Sequence, residues 1–208
     1  EGAALGTGTR VEPEVLTGHY GYLPNTRLAA MSYEHLKYVG GVHYSEEDLR
    51  FATALVDSLP AWRGKGASAA QIAEQAAAVR DFEPEPQSTW PASSDVGDIS
   101  WVVPTNWIRA AAWVPGTTAH TWQAAAASNA TVGLKGMHVA AKVLALTAVE
   151  LLRSPRLLVP LREELDERRG AGFRYHALIG DRAPPLAYLQ TEQLEKADGA
   201  ELAQSSTP

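Results

Sequence analysis

Apolar residues recur every three or four positions from Leu134 to Leu152, the clearest periodic pattern in the sequence. This spacing collects the apolar side chains on one face of an α-helix, and that face must pack against other parts of the protein. Gly133 and Gly136, at the start of the segment, allow a close approach to a neighbouring element. The pattern predicts a long helix over 134–152 that packs closely at its start.

Local start and stop signals predict further helices. Asn25 is a suitable N-cap for a helix over 28–39, and Ser45 with Asp48 resembles a capping box that opens a helix over 46–59. Weaker patterns predict two more helices, over 67–79 and 155–169.

Short apolar runs between these helices predict buried strands. Residues 99–103 and 108–114 have the length and residue types of such strands, and each run is closed by a proline. Residues 9–22 are rich in β-forming residues but contain Pro13, which is typical of an edge strand. Helices combined with buried strands predict an α/β domain.

Polar residues cluster beside the two predicted buried strands. Asp95 and Asp98 lie in a loop rich in serine and glycine before the first strand, and His120 lies in the G-T-T-A-H loop after the second. Open α/β sheets place ligand-binding side chains at the ends of their strands. This part of the sequence is therefore the candidate functional site.

Each of these residues also has a purely structural interpretation. His120 is suited to be a zinc or manganese ligand, but a lone histidine there can also be an ordinary surface or core residue. Asp95 and Asp98 could bind a metal, orient a histidine or accept a hydrogen bond from a substrate amine. A serine–aspartate loop also forms Asx turns and helix caps, and the loop alone favours that interpretation. The other histidines, which lack partners at metal-binding spacing, are interpreted as structural: His19, His35, His43, His138 and His176.

Composition excludes several functional classes. The chain has no cysteine, which excludes disulfides, thiolate nucleophiles and iron–sulfur clusters, so any metal must be held by histidine and carboxylates. The net charge of −6 argues against nucleic-acid binding. No uninterrupted apolar window has the length of about 18 residues that a membrane span requires. The sequence also lacks a phosphate-binding loop, a dinucleotide fingerprint and a serine-hydrolase elbow.

Three motifs in fixed order carry a resemblance to a known family. S-S-D-V-G-D-I-S-W-V-V-P-T, G-T-T-A-H-T-W-Q and G-L-K-G-M-x-x-A-A-K resemble the C-terminal part of the aminoacylase/carboxypeptidase-type metallo-amidohydrolases, which are dizinc peptidases. The branch in question contains the B subunit of aminobenzoyl-glutamate hydrolase. The resemblance spans about residues 10 to 190. It is more specific than any single short motif.

The resemblance implies a fold and a domain organisation. The chain would be the C-terminal half of an α/β/α catalytic domain, preceded by the end of an inserted α+β lid or dimerisation domain. Residues 1–22 would end the lid, residues 23–190 would belong to the catalytic domain, and residues 191–208 are expected to form a disordered tail. Because the sequence begins at Glu1 rather than methionine, we expect it to be cut from a longer protein.

The resemblance also implies roles for individual residues. His120 corresponds to the family's last metal ligand in a centre of two divalent ions, zinc or manganese. The residues that correspond to the wall of the site, in contact with substrate or metal ligands, are Ser93, Ser94, Asp95, Asp98, Gly116 and Thr117. The family's general base, a glutamate, and its other ligands correspond to sequence upstream. No catalytic residue is therefore expected in these 208 residues.

The implied activity is metal-dependent hydrolysis of the amide bond of N-acyl or N-aroyl amino acids such as aminobenzoyl-glutamate. These 208 residues alone are expected to be inactive. The family further implies a cytoplasmic protein and a homodimer or hetero-oligomer formed through the lid, with no nucleic-acid or membrane partner. The alternative is a truncated or degenerate paralogue that acts only as a non-catalytic binding or assembly subunit.

Overall fold

The computed structural model describes residues 1–60, 66–84, 94–183 and Leu186. These residues form two compact units. The smaller unit consists of Glu1–Tyr20 and the described residues from Arg174 onward, and it contains helix α1 (Gly2–Thr7). The larger unit runs from Gly21 to Phe173 and holds all the remaining helices.

The larger unit is helical. Its helices are α2 (Thr26–Val39), α3 (Glu46–Asp57), α4 (Ala69–Ala77), α5 (Val96–Ser100), α6 (Trp122–Ser128), α7 (Thr131–Arg153) and α8 (Leu158–Arg169), with a 3₁₀ turn at Pro155–Leu157 before α8. All five helices predicted from the sequence are thus present, each with bounds close to the expected ones. Helices α5 and α6 were not expected.

The predicted α/β fold is wrong for the part of the chain that the structure describes, because those residues contain no strand. Residues 96–100 form α5, and the amides of Val102 and Val103 bond back to the carbonyl of Ile99 in a tight turn. Residues 108–112 have no regular structure, and residues 9–22 form no edge strand. The periodicity of a short apolar run does not show whether the run forms a strand or a helical turn. A strand also needs neighbouring strands with which it can pair.

Helix α7 is the long helix that the sequence pattern predicted. It packs most extensively against α2 and α6. One face carries the buried residues Val132, Val139, Val143 and Thr147. The Thr147 hydroxyl lies 3.3 Å from that of Ser32 on α2. A Cβ at Gly136 would lie 2.6 Å from the carbonyl oxygen of Ala111, so this glycine permits the close approach expected of it.

The predicted caps of α2 and α3 are confirmed. Asn25 Oδ1 accepts a hydrogen bond from the amide of Leu28 at 3.0 Å, and Ser45 with Asp48 forms a complete capping box. The α2 N-terminus has a second stabilising group that the local sequence could not reveal. The Glu164 carboxylate on α8 accepts from the amides of Thr26 (2.7 Å) and Arg27 (3.0 Å). It therefore occupies the position where a helix N-terminus attracts an anion.

The core consists of two clusters of buried apolar residues. The larger cluster joins α3, α4, α6 and the start of α7 through Ala52, Leu55, Val56, Ile72, Val114, Ala127 and Val132. The smaller cluster is formed by Val42, Ala76 and Val139. Because Val114 belongs to the larger cluster, the core anchors the chain immediately before the G-T-T-A-H loop.

Among the described helices, α7 alone is long and apolar enough to cross a membrane, judged by length and composition only. Core helices of soluble proteins also have this length and composition. The predicted domain boundaries after residues 22 and 190 stay predictions, and residues 191–208 lie outside the described residues.

Candidate functional site

The aspartate loop is the start of helix α5. Ser94 Oγ accepts a hydrogen bond from the amide of Val96 at 3.3 Å and lies 3.1 Å from Asp95 Oδ1, to which it donates. Asp95 occupies the N-cap position and is exposed, and Asp98 lies in the first turn of the helix. The loop thus leads into a short helix, and the Asp95 side chain makes no cap hydrogen bond to it. Ser93, the remaining predicted residue of this loop, lies outside the described residues.

The C-terminal end of helix α5 is hydrogen-bonded to residues that precede α2. Ser100, which is fully buried, accepts a hydrogen bond from the amide of Leu23 at 2.9 Å and donates to the carbonyl of Gly97 at 2.5 Å. The indole nitrogen of Trp101 donates to the carbonyl of Gly21 at 2.7 Å. These bonds fix the short helix on the larger unit.

The G-T-T-A-H loop turns sharply between the core and helix α6. The amide of Thr117 bonds to the carbonyl of Val114 at 3.2 Å, and Gly116 adopts φ 81° within this turn. Thr121 ends the loop by capping α6, because its hydroxyl accepts from the amide of Ala124 at 3.2 Å and donates to the carbonyl of Thr118 at 2.7 Å. The loop is thereby fixed at both ends.

His120 lies at the most strained position of this loop. It has φ 61°, a left-handed conformation that no other non-glycine residue in the described ranges adopts. Its side chain is exposed and makes no hydrogen bond with the rest of the described chain. Strained backbone of this kind persists only where the surrounding structure enforces it, and it is common at ligand-binding sites. The geometry leaves the imidazole free to bind a ligand from outside.

Thr117 has a buried polar atom without a protein partner. Its hydroxyl is inaccessible and has no hydrogen-bond partner within the part of the chain that the structure describes. The Asn106 side-chain nitrogen is in the same condition. Buried polar groups are nearly always paired, so such groups require an explanation. Asn106 was not singled out from the sequence, since the P-T-N segment carries no local signal beyond a break in structure.

The predicted site residues do not assemble into a metal centre by themselves. Across residues 1–60, 66–84 and 94–183, no group of three histidine or acidic side chains is placed to hold an ion. Among the other histidines, His35 on α2 lies 2.7 Å from Glu150 on α7, and Nδ1 of His176 lies 3.3 Å from the Tyr20 hydroxyl. The His35 partner comes from a distant helix, so spacing along the sequence could not reveal it.

Two tryptophans that follow α5 each pack against another aromatic ring. Trp101 packs on Phe173 with ring centroids 4.8 Å apart, and Tyr22 packs on Trp107 at 5.3 Å. The Tyr22 hydroxyl donates to the carbonyl of Thr105, and burial raises its pKa to about 12. Tyr22 is therefore a neutral hydrogen-bond donor near neutral pH and does not serve as a base.

Comparison with known proteins identifies a relative but no structural match. The chain is 29% identical over 180 residues to the B subunit of p-aminobenzoyl-glutamate hydrolase from Escherichia coli strain K12. The match includes 79% of this chain but 37% of the relative, so the chain spans little more than a third of that protein's length. No family model matches, and no solved structure is similar. The similarity supports a family-level relationship with that subunit.

Proposed function

We propose that this chain forms part of an amidohydrolase that cleaves N-acyl or N-aroyl amino acids such as p-aminobenzoyl-glutamate. The similarity to a hydrolase subunit supports the reaction class. The observation that carries the proposal in the structure is His120, whose exposed imidazole is held on left-handed backbone between a core-anchored turn and a capped helix. A ligating histidine needs an accessible imidazole, and the turn and the capped helix on either side hold the backbone that carries it.

We propose that His120 is one ligand of a centre of two divalent ions, zinc or manganese. An exposed neutral imidazole fits one coordination position of such an ion. The described residues do not fit the whole centre, because they place no three suitable groups together. The remaining ligands and the general base would have to come from polypeptide outside these residues. The relative is long enough to contain such polypeptide, since 37% of it is matched here.

The other loop residues would bind the substrate. Gly116 and Thr117, in the turn that leads to His120, would lie beside the substrate carboxylate. Ser94, Asp95 and Asp98 would form the wall of the site at the N-terminus of α5. The relative's name describes a subunit, so assembly with a further chain is part of the proposal.

The experiment uses a chimera, because the 208 residues alone are expected to be inactive. In the E. coli relative, the matched segment is replaced by this chain, and release of p-aminobenzoate from p-aminobenzoyl-glutamate is measured together with metal content. We expect activity and bound metal in the chimera. His120→Ala should lose one metal equivalent and more than about 100-fold of activity, since even residues that only orient ligands cost about 10–100-fold.

His138→Ala is the matched control, because His138 is exposed on α7 and belongs to no proposed site. It should leave activity and metal content unchanged. Full activity and unchanged metal content in His120→Ala would remove His120 from the centre. A folded, metal-loaded chimera without activity would instead favour the non-catalytic binding or assembly role. Far-UV circular dichroism and thermal melting establish that each variant is folded.

A further inference from the structure

Thr121 follows His120 directly and makes two hydrogen bonds through its side chain. Its hydroxyl donates to the carbonyl of Thr118 at 2.7 Å and accepts from the amide of Ala124 at 3.2 Å. The first bond closes the turn in which Ala119 and His120 lie, and the second caps helix α6. One hydroxyl group therefore connects the turn that contains His120 to the helix that follows it.

The helix end of this connection is fixed by the core. Ala124 and Ala127 on α6 are 6% and 0% exposed, and Ala127 belongs to the larger core cluster. Gln123 is buried as well, and its side-chain nitrogen donates to the carbonyl of Ser58, which follows α3, at 3.4 Å. Because α6 is held in this way, the Thr121 hydroxyl connects the turn to a fixed position in the larger unit.

The turn places His120 in a conformation that histidine disfavours. His120 is the third residue of the turn from Thr118 to Thr121, and its φ of 61° is positive, as in a type II turn. Glycine or asparagine normally occupies this position, because in other residues the Cβ atom comes too close to the following carbonyl oxygen. Contacts outside residue 120 must therefore supply the stabilisation that holds this backbone.

We propose that Thr121 is a positioning residue for His120. Its bond to the Thr118 carbonyl holds residue 120 in the left-handed conformation, and that conformation sets the direction of the Cα–Cβ bond that carries the imidazole. The inference rests on the proposed function, in which the imidazole binds a metal ion. It adds that a neighbouring hydroxyl, which binds neither metal nor substrate, determines where the imidazole is directed.

The first test compares glycine and alanine at position 120 by urea unfolding of the full 208-residue chain. Both substitutions remove the imidazole, so the difference between them reports on the backbone at this position. On left-handed backbone, His120→Gly should have an equilibrium constant for unfolding about fivefold lower than that of His120→Ala, because alanine is strained there. On relaxed backbone the order should reverse by about threefold, because glycine loses more conformational entropy on folding.

The same comparison is repeated in chains that carry a second substitution. Thr121→Val removes the hydroxyl but keeps the branched shape, which suits the extended backbone of residue 121, and it should reverse the order of glycine and alanine. Thr121→Ser should keep the order of the parent chain, because its hydroxyl can make both bonds. Ser68→Ala is the matched control and should also keep that order, since it removes a cap from α4 rather than from α6.

A third substitution at position 121 separates the turn bond from the helix cap. An ionised aspartate accepts hydrogen bonds but cannot donate them, so Thr121→Asp keeps the α6 cap and loses the bond to Thr118. It should fold and should reverse the order of glycine and alanine. Glycine remaining about fivefold more stable in Thr121→Asp would overturn the proposal, even where Thr121→Val fails to fold. Equal stability of the two substitutions in the parent chain would overturn it as well, since residue 120 would then carry no strain.

The second test measures the zinc affinity of the chimera by competition with a chelator. Thr121→Val should weaken the binding of one zinc equivalent by about 10-fold, the lower end of the range for groups that orient a metal ligand. Thr121→Ser should restore the affinity, and Ser68→Ala should not change it. Unchanged affinity in Thr121→Val, where His120→Ala loses the metal, would overturn the positioning role.

The two tests distinguish this inference from the proposed function. Retention of all metal by His120→Ala would contradict the proposed function, because the imidazole would then not be a ligand. The comparison of glycine and alanine needs neither metal nor activity, so it would still decide whether Thr121 holds residue 120.

Discussion

Replacing Asp48 with alanine is expected to lower the free energy of unfolding by about 3 kcal/mol, the scale on which breaking one partner of a buried ion pair destabilises proteins. Asp48 is 2% exposed and lies in the first turn of α3. Its carboxylate accepts hydrogen bonds from the amide of Ser45 at 2.7 Å and from the Ser45 hydroxyl at 2.8 Å. It also accepts from the Thr131 hydroxyl and the Lys135 ammonium group of α7. One side chain thus caps one helix and ties it to another.

We expect a loss of unfolding free energy at the low end of the range for buried ion pairs. The reason is that Lys135 is 39% exposed, so water can hydrate its ammonium group once Asp48 is removed. Urea unfolding followed by circular dichroism measures the difference. Glu47→Ala is the control, since Glu47 is exposed in the same helical turn and makes no comparable contact among the described residues. A loss below about 1 kcal/mol would show that the pair contributes no more than an exposed ion pair.

The same contacts of Asp48 make the free energy of unfolding depend on pH in the acidic range. Burial alone would raise the pKa of Asp48, but the hydrogen bonds from Lys135, Thr131 and Ser45 outweigh it and hold the pKa well below its usual range. In the unfolded chain the pKa of an aspartate is about 3.9. The stabilisation is therefore complete above that pH and is lost as the pH falls from about 4 toward the lowered pKa. Asp48→Ala should flatten this part of the stability curve.

The capping box illustrates how far the sequence alone predicts this structure. Ser45 and Asp48 are three residues apart, so their mutual bonds are a local property that the sequence shows directly. Lys135 lies 87 residues further on, and nothing local indicates that it meets Asp48. Helices were predicted well for this reason, because their caps and periodicities are local. The contacts that join the helices were not predicted, because they link residues far apart in the sequence.

The strand predictions failed for a related reason. Residues 99–103 are apolar enough for a buried strand, but Ser94 and Asp98 favour the start of a helix immediately before them. A strand also depends on a neighbour to pair with, and no described segment offers one. At the candidate site, G-T-T-A-H could be identified as a loop from its residues. The left-handed conformation of His120 and the unpaired hydroxyl of Thr117 arise from tertiary packing and could not be predicted.

Replacing Gly136 with alanine is expected to destabilise the chain by about 2 kcal/mol, although the same change normally favours a helix by about 1 kcal/mol. The new Cβ would lie 2.6 Å from the carbonyl oxygen of Ala111 and 2.8 Å from the Cα of Ala112. Both atoms are backbone, so no side-chain rotation can relieve the clash. Either α7 or the segment that leads to Val114 has to move.

That displacement connects packing to the candidate site, because residues 110–112 lead through Val114 into the loop that carries His120. In the chimera, Gly136→Ala should therefore reduce activity as well as stability, whereas Gly6→Ala in α1 should lower neither, since a Cβ at Gly6 meets nothing within 4 Å. Urea unfolding and p-aminobenzoate release measure the two effects. An alanine variant as stable as the parent would mean that the contact between α7 and residues 111–112 is looser than these distances indicate.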